Sequence, residues 1–364
     1  MAGPQGKPFS RLSRRRVLQG LAAAGFVATG GLVTLRASAQ TPRLVSAVRR
    51  SDGNYAVVAL DTTGALVWEF PLPHRGHSVT PSPNGQVIAA FPRRPGQTVW
   101  LLSARSGELI RSVDAGPNRQ MNGHGVFSDD GRHLYVTETV FGAITSGEVT
   151  VYDLDTGSAV RRFASGGLDP HQCVWCGDHL VVAHGGYIEF QDKARPKVLD
   201  PTRPPNLAWL NAGTGAVMRR DQLDDPQLSI RHLAADRDGV FAGFQHDDGP
   251  ASSAPLLGYA TPEAPLAAVP AGEVLWSRFK GYVGSVAIAA GHDEVVATSP
   301  KGGVLGVWGR HDVQLRELRE ISDVCGAGAT DDGWIATTGF GVIAGEATAV
   351  QRADYAFDNH LAVI

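Results

Sequence analysis

Residues 123–165, GHGVFSDDGRHLYVTETVFGAITSGEVTVYDLDTGSAVRRFAS, hold four apolar runs separated by turn signals. The runs are His124–Ser128, His133–Thr137, Glu148–Leu154 and Ser158–Phe163. Asp129-Asp130-Gly131 and Asp155-Thr156-Gly157 stand at two of the junctions. Gly after Asp supplies the positive φ that a tight hairpin needs, so these junctions read as turns. Four antiparallel strands in about 43 residues match one propeller blade in size.

The preceding stretch repeats the pattern with runs His77–Ser82, Gln86–Phe91, Thr98–Ser103 and Glu108–Val113. Its turns are Pro83-Asn84-Gly85 and Arg105-Ser106-Gly107. Each unit opens on a coordinating-type residue, and the spacings His77 to His124 and His124 to His171 are both 47 residues. Later openings fall at His171, His232, Ser285 and Cys325. A long insertion near Tyr187–Pro205 enlarges the fourth blade, and a loop around Asp247–Pro255 the fifth. At the start, Leu44–Val48, Tyr55–Leu60 and Ala65–Phe70 lack an innermost partner, and Asn359–Ile364 is a lone strand at the end. Pairing them removes both exposed edges. The expectation is an all-β fold, a seven-bladed β-propeller of four-stranded antiparallel blades closed three-plus-one by the C-terminal strand. Six blades is the competing count.

Inner strands line a propeller's channel, so their first residues should meet at one mouth. That places His77, His124, His171, His232, Ser285, Cys325 and His360 around a rim. Residues two earlier should face the same way: Arg75, Asn122, Asp169, Ile230, Val283, Asp323 and Asp358. The histidines and Cys325 are the candidate metal ligands, since imidazole and thiolate suit iron, copper and zinc. Arg75, Asn122, Asp169, Asp323 and Asp358, with Arg231 beside His232, are the candidate cofactor-binding group. Two other readings compete. Tryptophan-aspartate propellers carry Gly-His in a structural hydrogen-bond network, although this chain lacks their terminal Trp-Asp pair. A site for an anionic small molecule is the other.

Other chemistries lack support. No Gly-x-Ser-x-Gly stands on a strand-to-helix turn, and no Gly-rich phosphate loop precedes a helix. Cys173 and Cys176 lie in one strand, where residues three apart face opposite sides, so they read as packed thiols. Trp68, Trp100, Trp209, Trp276, Trp308 and Trp334 read as packing between blades.

The N-terminus reads as an address. Ser13-Arg14-Arg15-Arg16-Val17-Leu18-Gln19 resembles the twin-arginine export motif, an apolar run follows from Leu21 to Leu35, and Ala37-Ser38-Ala39 is a small-residue cleavage site. The apolar run is shorter than the roughly 20 residues that span a bilayer, so the mature chain should hold no span. Residues 1–39 are therefore set aside as a signal peptide, leaving 40–364 as one propeller domain. Removing six cations and no acid takes the formal charge from −3 to −3 − 6 = −9. An acidic mature chain argues against nucleic-acid partners.

The runs Arg75-Gly76-His77, Gly123-His124-Gly125-Val126-Phe127-Ser128 and Leu228-Ser229-Ile230-Arg231-His232-Leu233-Ala234 together resemble one bacterial family. So do Tyr282-Val283-Gly284-Ser285-Val286, Asp323-Val324-Cys325-Gly326 and Asp358-Asn359-His360. The family consists of twin-arginine-exported proteins catalogued as domain of unknown function 1513. The resemblance implies a periplasmic propeller whose genes often neighbour iron-acquisition components such as imelysin-like proteins, which become the expected partners. This chain departs from the family pattern at Ser78, at Gln172 and in Lys197-Val198-Leu199-Asp200-Pro201. A retained channel site with an altered loop surface is the reading of those departures.

The expected function is a non-enzymatic periplasmic binding propeller for metal handling, with iron or copper at the channel mouth. The alternatives are a metallo-oxidoreductase with copper, iron or haem there, and a protein-interaction scaffold.

Overall fold

A computed structural model describes residues 43–346 and 349–364. The export-signal reading of residues 1–39 lies outside the described residues. Asp130 shows how the turns are made. Its Oδ1 accepts from Ser128 Oγ at 2.6 Å and from Arg132 N at 3.0 Å, while Gly131 adopts φ 67° and donates back to Ser128 O. The strands that flank this turn, Arg119–Phe127 and His133–Val140, pair antiparallel, and Ser146–Asp153 and Ala159–Ala164 complete a four-stranded sheet.

Seven such sheets form. The first joins Leu66–Leu72, Tyr55–Leu60 and Leu44–Arg50 to the C-terminal strand Tyr355–Val363, which is the expected three-plus-one closure. The inner strands of the other six are Gly76–Pro81, Arg119–Phe127, Pro170–Cys176, Leu228–Ala235, Ser285–Ala289 and Val324–Thr330. Each inner strand lies against the next in chain order, and Tyr355–Val363 lies between those of blades seven and two. The fold is thus an all-β seven-bladed propeller. Blade four carries a small hairpin, Tyr187–Ile188 with Val198–Leu199, in the expected insertion. One short helix, Glu273–Arg278, was not foreseen. It buries Trp276, which stacks on Trp308 with ring centroids 5.8 Å apart.

Strand alternation distributes the core between blades. Along Val87–Pro92, Ile88 and Ala90 pack with Val57, Trp68 and Val79 of one neighbourhood. Ala89 and Phe91 face the other way, onto Phe127, Leu134 and Val136. Burying each such Val, Leu, Ile or Phe contributes about 1.5–3 kcal/mol. Cys173 and Cys176 likewise fall in two different clusters and are free, buried thiols. Because the apolar faces are used between blades, the axis itself is left to the inner strands.

Those inner strands are irregular where it matters. Pairing slips between Gly76 and Val79, Met121 and Gly125, Pro170 and Cys173, Ile230 and His232, and Val324 and Ala327. It slips again across residues 358–360. Blade six, which carries Ser285 in place of His or Cys, pairs in register throughout. A bulge frees a carbonyl from the ladder, and hydroxyls take up that role. Ser46 Oγ donates to His360 O at 2.7 Å, Thr137 Oγ1 to His171 O at 2.6 Å and Thr298 Oγ1 to Cys325 O at 2.6 Å.

Candidate metal centre in the channel

The bulges turn five imidazoles toward one another. His77, His124, His171, His232 and His360 come from five inner strands, and their ring centroids lie 4.6 to 6.1 Å from their neighbours. All five are buried, from His232 at 1 % exposure to His360 at 8 %. The expected rim is therefore an interior cluster. Inner strands begin up to five residues before the histidine, as Arg119 does before His124, so the ring sits inside the channel.

Two sets of three could share an ion: His77, His124 and His171, and His124, His232 and His360. Within each set one ligand atom per residue lies within 4.8 Å of the others. Burial, then the neighbouring histidines, holds His124, His232 and His360 well below the usual histidine range. His171 is lowered in the same way, with Arg94 adding to the effect. His77 is lowered by burial too, against an opposing pull from Asp358. The rings are thus neutral at pH 7, the state in which imidazole binds metal.

Their partners decide what each can do. Nε2 of His124, of His171 and of His360 and both ring nitrogens of His232 are buried with no hydrogen-bond partner. His246, elsewhere in the fold, is the contrast: Nε2 pairs with Asp225 at 3.0 Å and Nδ1 accepts from Asp248 N at 3.1 Å. His184, also outside the cluster, is intermediate: Nε2 lies 2.9 Å from Ser165 Oγ and Nδ1 is unpaired. Asp358 Oδ1 lies 3.3 Å from His77 Nδ1. An ionised carboxylate only accepts, so Nδ1 carries the proton and Nε2 keeps its lone pair. That carboxylate–histidine arrangement is how metal-binding imidazoles are commonly oriented. Arg94 Nη2 is 3.3 Å from His171 Nδ1. Arginine only donates, so His171 carries its proton on Nε2 and presents a donor to the cluster. His124, His232 and His360 are therefore candidate ligands, His77 is a further candidate beside His124, and the Arg94 contact makes His171 the weaker member of its set.

The remaining expected residues separate. Cys325 belongs to neither set of three. Its Sγ lies 3.5 Å from Phe357 O, and burial pushes its thiol up to about 12, so it stays protonated. With Arg75, Asp323 and Asp358 it lines a different cavity of about 290 Å³ between blades one and seven. Arg75 Nε bonds Asp358 Oδ2 at 2.6 Å. Asn122 donates to Pro170 O at 2.7 Å and ties two blades together. Asp169 pairs with Arg94 and lies 2.7 Å from Arg231 Nη1. Of these carboxylates only Asp358 touches a cluster histidine among the described residues. The bulge breaks the period of two, so residues two earlier do not stand behind the rings. Arg94 was not anticipated. It sits in a loop after an outer-going strand, where no local pattern marks it.

Gly123 makes the close approach that packs His77. It adopts φ 91°, and a Cβ there would meet His77 Cδ2 at 2.5 Å. Gly123→Ala is expected to cost about 1–3 kcal/mol in urea unfolding through backbone strain, and to displace the His77 ring.

The family described as protein of unknown function (DUF1513) matches residues 70–364. The chain belongs to that family. No curated protein matches the DUF1513 chain. Among solved structures it is similar to "Structure of U3-55K", at 15% identity and TM-score 0.55, covering 84% of this chain and 90% of that one. It is also similar to "Crystal structure of RRP9 WD40 repeats", at 13% identity and TM-score 0.57, covering 89% and 98%. At such identities the likeness extends to the fold alone. The family motifs map unevenly onto the site: His77, His124, His232 and His360 meet, while Cys325 stands apart. Ser78 and Gln172, expected to depart from the family pattern, make structural hydrogen bonds. Ser78 Oγ donates to Gly123 O, and Gln172 exchanges two hydrogen bonds with Leu233. No helix among the described residues is long and apolar enough to cross a membrane.

Proposed function

We propose that this binding propeller is exported to the periplasm and holds one transition-metal ion at His77, His124, His232 and His360, in the service of metal handling. The observation that carries it is the set of buried ring nitrogens with no partner. Each buried polar atom left unpaired costs about 1–3 kcal/mol, and an ion removes several such costs at once. Neutral imidazoles suit ferrous iron, copper and zinc rather than hard oxygen-seeking ions. The twin-arginine-like N-terminus supports export, and the family's gene neighbourhoods support iron and an imelysin-like partner.

Elemental analysis of protein recovered from the periplasm tests this, beside titration of metal-free protein with ferrous iron, copper and zinc. One equivalent in the wild type and none in a His124→Ala/His232→Ala variant is expected, with His171→Ala retaining metal. No metal in the wild type and no uptake by the metal-free form would sink the reading. A metallo-oxidoreductase is the second reading. It is favoured by a cavity of about 200 Å³ that opens onto His77, His171 and His232 and gives a small molecule access. Visible absorbance that changes on reduction separates it from simple holding.

A further inference from the structure

The cavity beside the cluster has a charge the rest of the chain does not. Arg93, Arg94, Lys197 and Arg231 line it, no carboxylate does, and Gln245, Tyr282 and Asn359 add neutral hydrogen-bonding groups. In a chain of net charge −3, four converging cations are not a sample of the average surface. Two carboxylates stand behind them. Asp169 pairs with Arg94 and Arg231, and Glu189 Oε1 lies 3.0 Å from Arg94 Nη1. Arg93 and Lys197 form no ion pair among the described residues, and Glu189 is shared with Lys193, so the two carboxylates leave the four lining cations with at least two positive charges uncompensated.

Arg231 is the second observation. It is 2 % exposed, its Nη1 lies 2.7 Å from Asp169 Oδ2, and its Nε has no hydrogen-bond partner. A buried guanidinium with a donor left over beside a polar cavity has capacity for a further acceptor. Lys197 comes from the blade-four insertion and rests its ammonium 3.6 Å from the Tyr187 ring centroid, with Arg231 5.5 Å from the same ring. Desolvation against the cavity wall first, then the charge of Arg231, brings Lys197 down to about 8, although part of the side chain reaches solvent.

We propose that this cavity binds a small oxyanion carrying at least two negative charges, a polycarboxylate or a phosphate, between Arg93, Lys197 and Arg231. The site goes beyond the metal reading and does not require it, since its charge comes from residues outside the ligand set. It also complements that reading. Neutral imidazoles leave an ion's charge whole, and an oxyanion against His77 and His232 would offset it in a buried setting. The blade-four insertion, through Lys197, is then part of the site rather than a separate contact surface.

Calorimetric titration of metal-free protein with citrate, and separately with inorganic phosphate, at low salt, is the test. One equivalent of at least one of them is expected, and the better binder names the class. Arg93→Gln with Lys197→Gln should weaken binding at least tenfold, with Lys197→Arg retaining it. These side chains reach the surface, so the fold survives their loss, which the melting curve checks. No binding of either anion, or binding that the double variant leaves unchanged, overturns the proposal. Binding confined to metal-loaded protein and insensitive to Lys197 also overturns it, because the anion would then be a metal ligand only. If the wild type holds no metal, the metal-free titration still stands by itself.

Discussion

Saturating metal is expected to stabilise the wild-type propeller by about 4 kcal/mol at free metal a thousandfold above Kd, and a His124→Leu/His232→Leu variant by nothing. The same variant without metal should be no less stable than metal-free wild type, within about 0.5 kcal/mol. Both halves follow from the partners. Nε2 of His124 and both ring nitrogens of His232 are buried and unpaired, so leucine removes no hydrogen bond. In a structural network of the kind that holds His246, the same exchange would strand partners at about 1–3 kcal/mol each. Urea unfolding of both proteins, with chelator and with metal, decides between the two. A metal-free variant that loses several kcal/mol would make the cluster structural, and equal stabilisation of both proteins by metal would place the ion elsewhere.

Metal-free protein is expected to lose stability steeply as pH falls from 6.5 to 5. His124, His171, His232 and His360 are held well below the usual histidine range, chiefly by burial. In the unfolded chain they titrate near the ordinary value of about 6.5. Below that pH the unfolded state takes up protons that the native state refuses, so acid favours unfolding, and the stability is fully present above it. Each group contributes a slope approaching about 1.4 kcal/mol per pH unit, and four together approach about 5.6 kcal/mol per pH unit. Asp358 does not blur the window. Burial raises its carboxyl, but His77 and Arg75 outweigh that and leave it well below the usual carboxylate range, so its loss comes only at lower pH. The His124→Leu/His232→Leu variant should show a slope shallower by about 2.8 kcal/mol per pH unit, with the other lowered histidines, His77 and His184 among them, still contributing. A urea midpoint that stays flat from pH 7.5 to 5, or the same slope in both proteins, would refute the neutral buried cluster.

The repeat was legible because its signals are local. Asp129-Asp130-Gly131 makes a turn by its own side chain and its own glycine, and alternation along Ile88–Phe91 sends successive residues to different cores. The unpaired strands at the two ends made the closing blade readable without any distance. The five histidines could be nominated for the same reason, since each stands at the same point of its repeat. Their depth could not be. Reading them as the first residues of inner strands put them on a rim, whereas the strand before His124 starts at Arg119.

What the sequence determined by itself was the seven-bladed ring, its three-plus-one closure and the identity of the histidines that meet, because turns, alternation and period act over a few residues. The tertiary structure alone decided which nitrogens are free, that Cys325 and Asp323 belong to another cavity, and that Arg94 and Lys197 belong beside the cluster. A bulge shifts a side chain by one position without leaving a mark in composition, and a loop arginine meets a histidine 77 residues away only when the ring has closed.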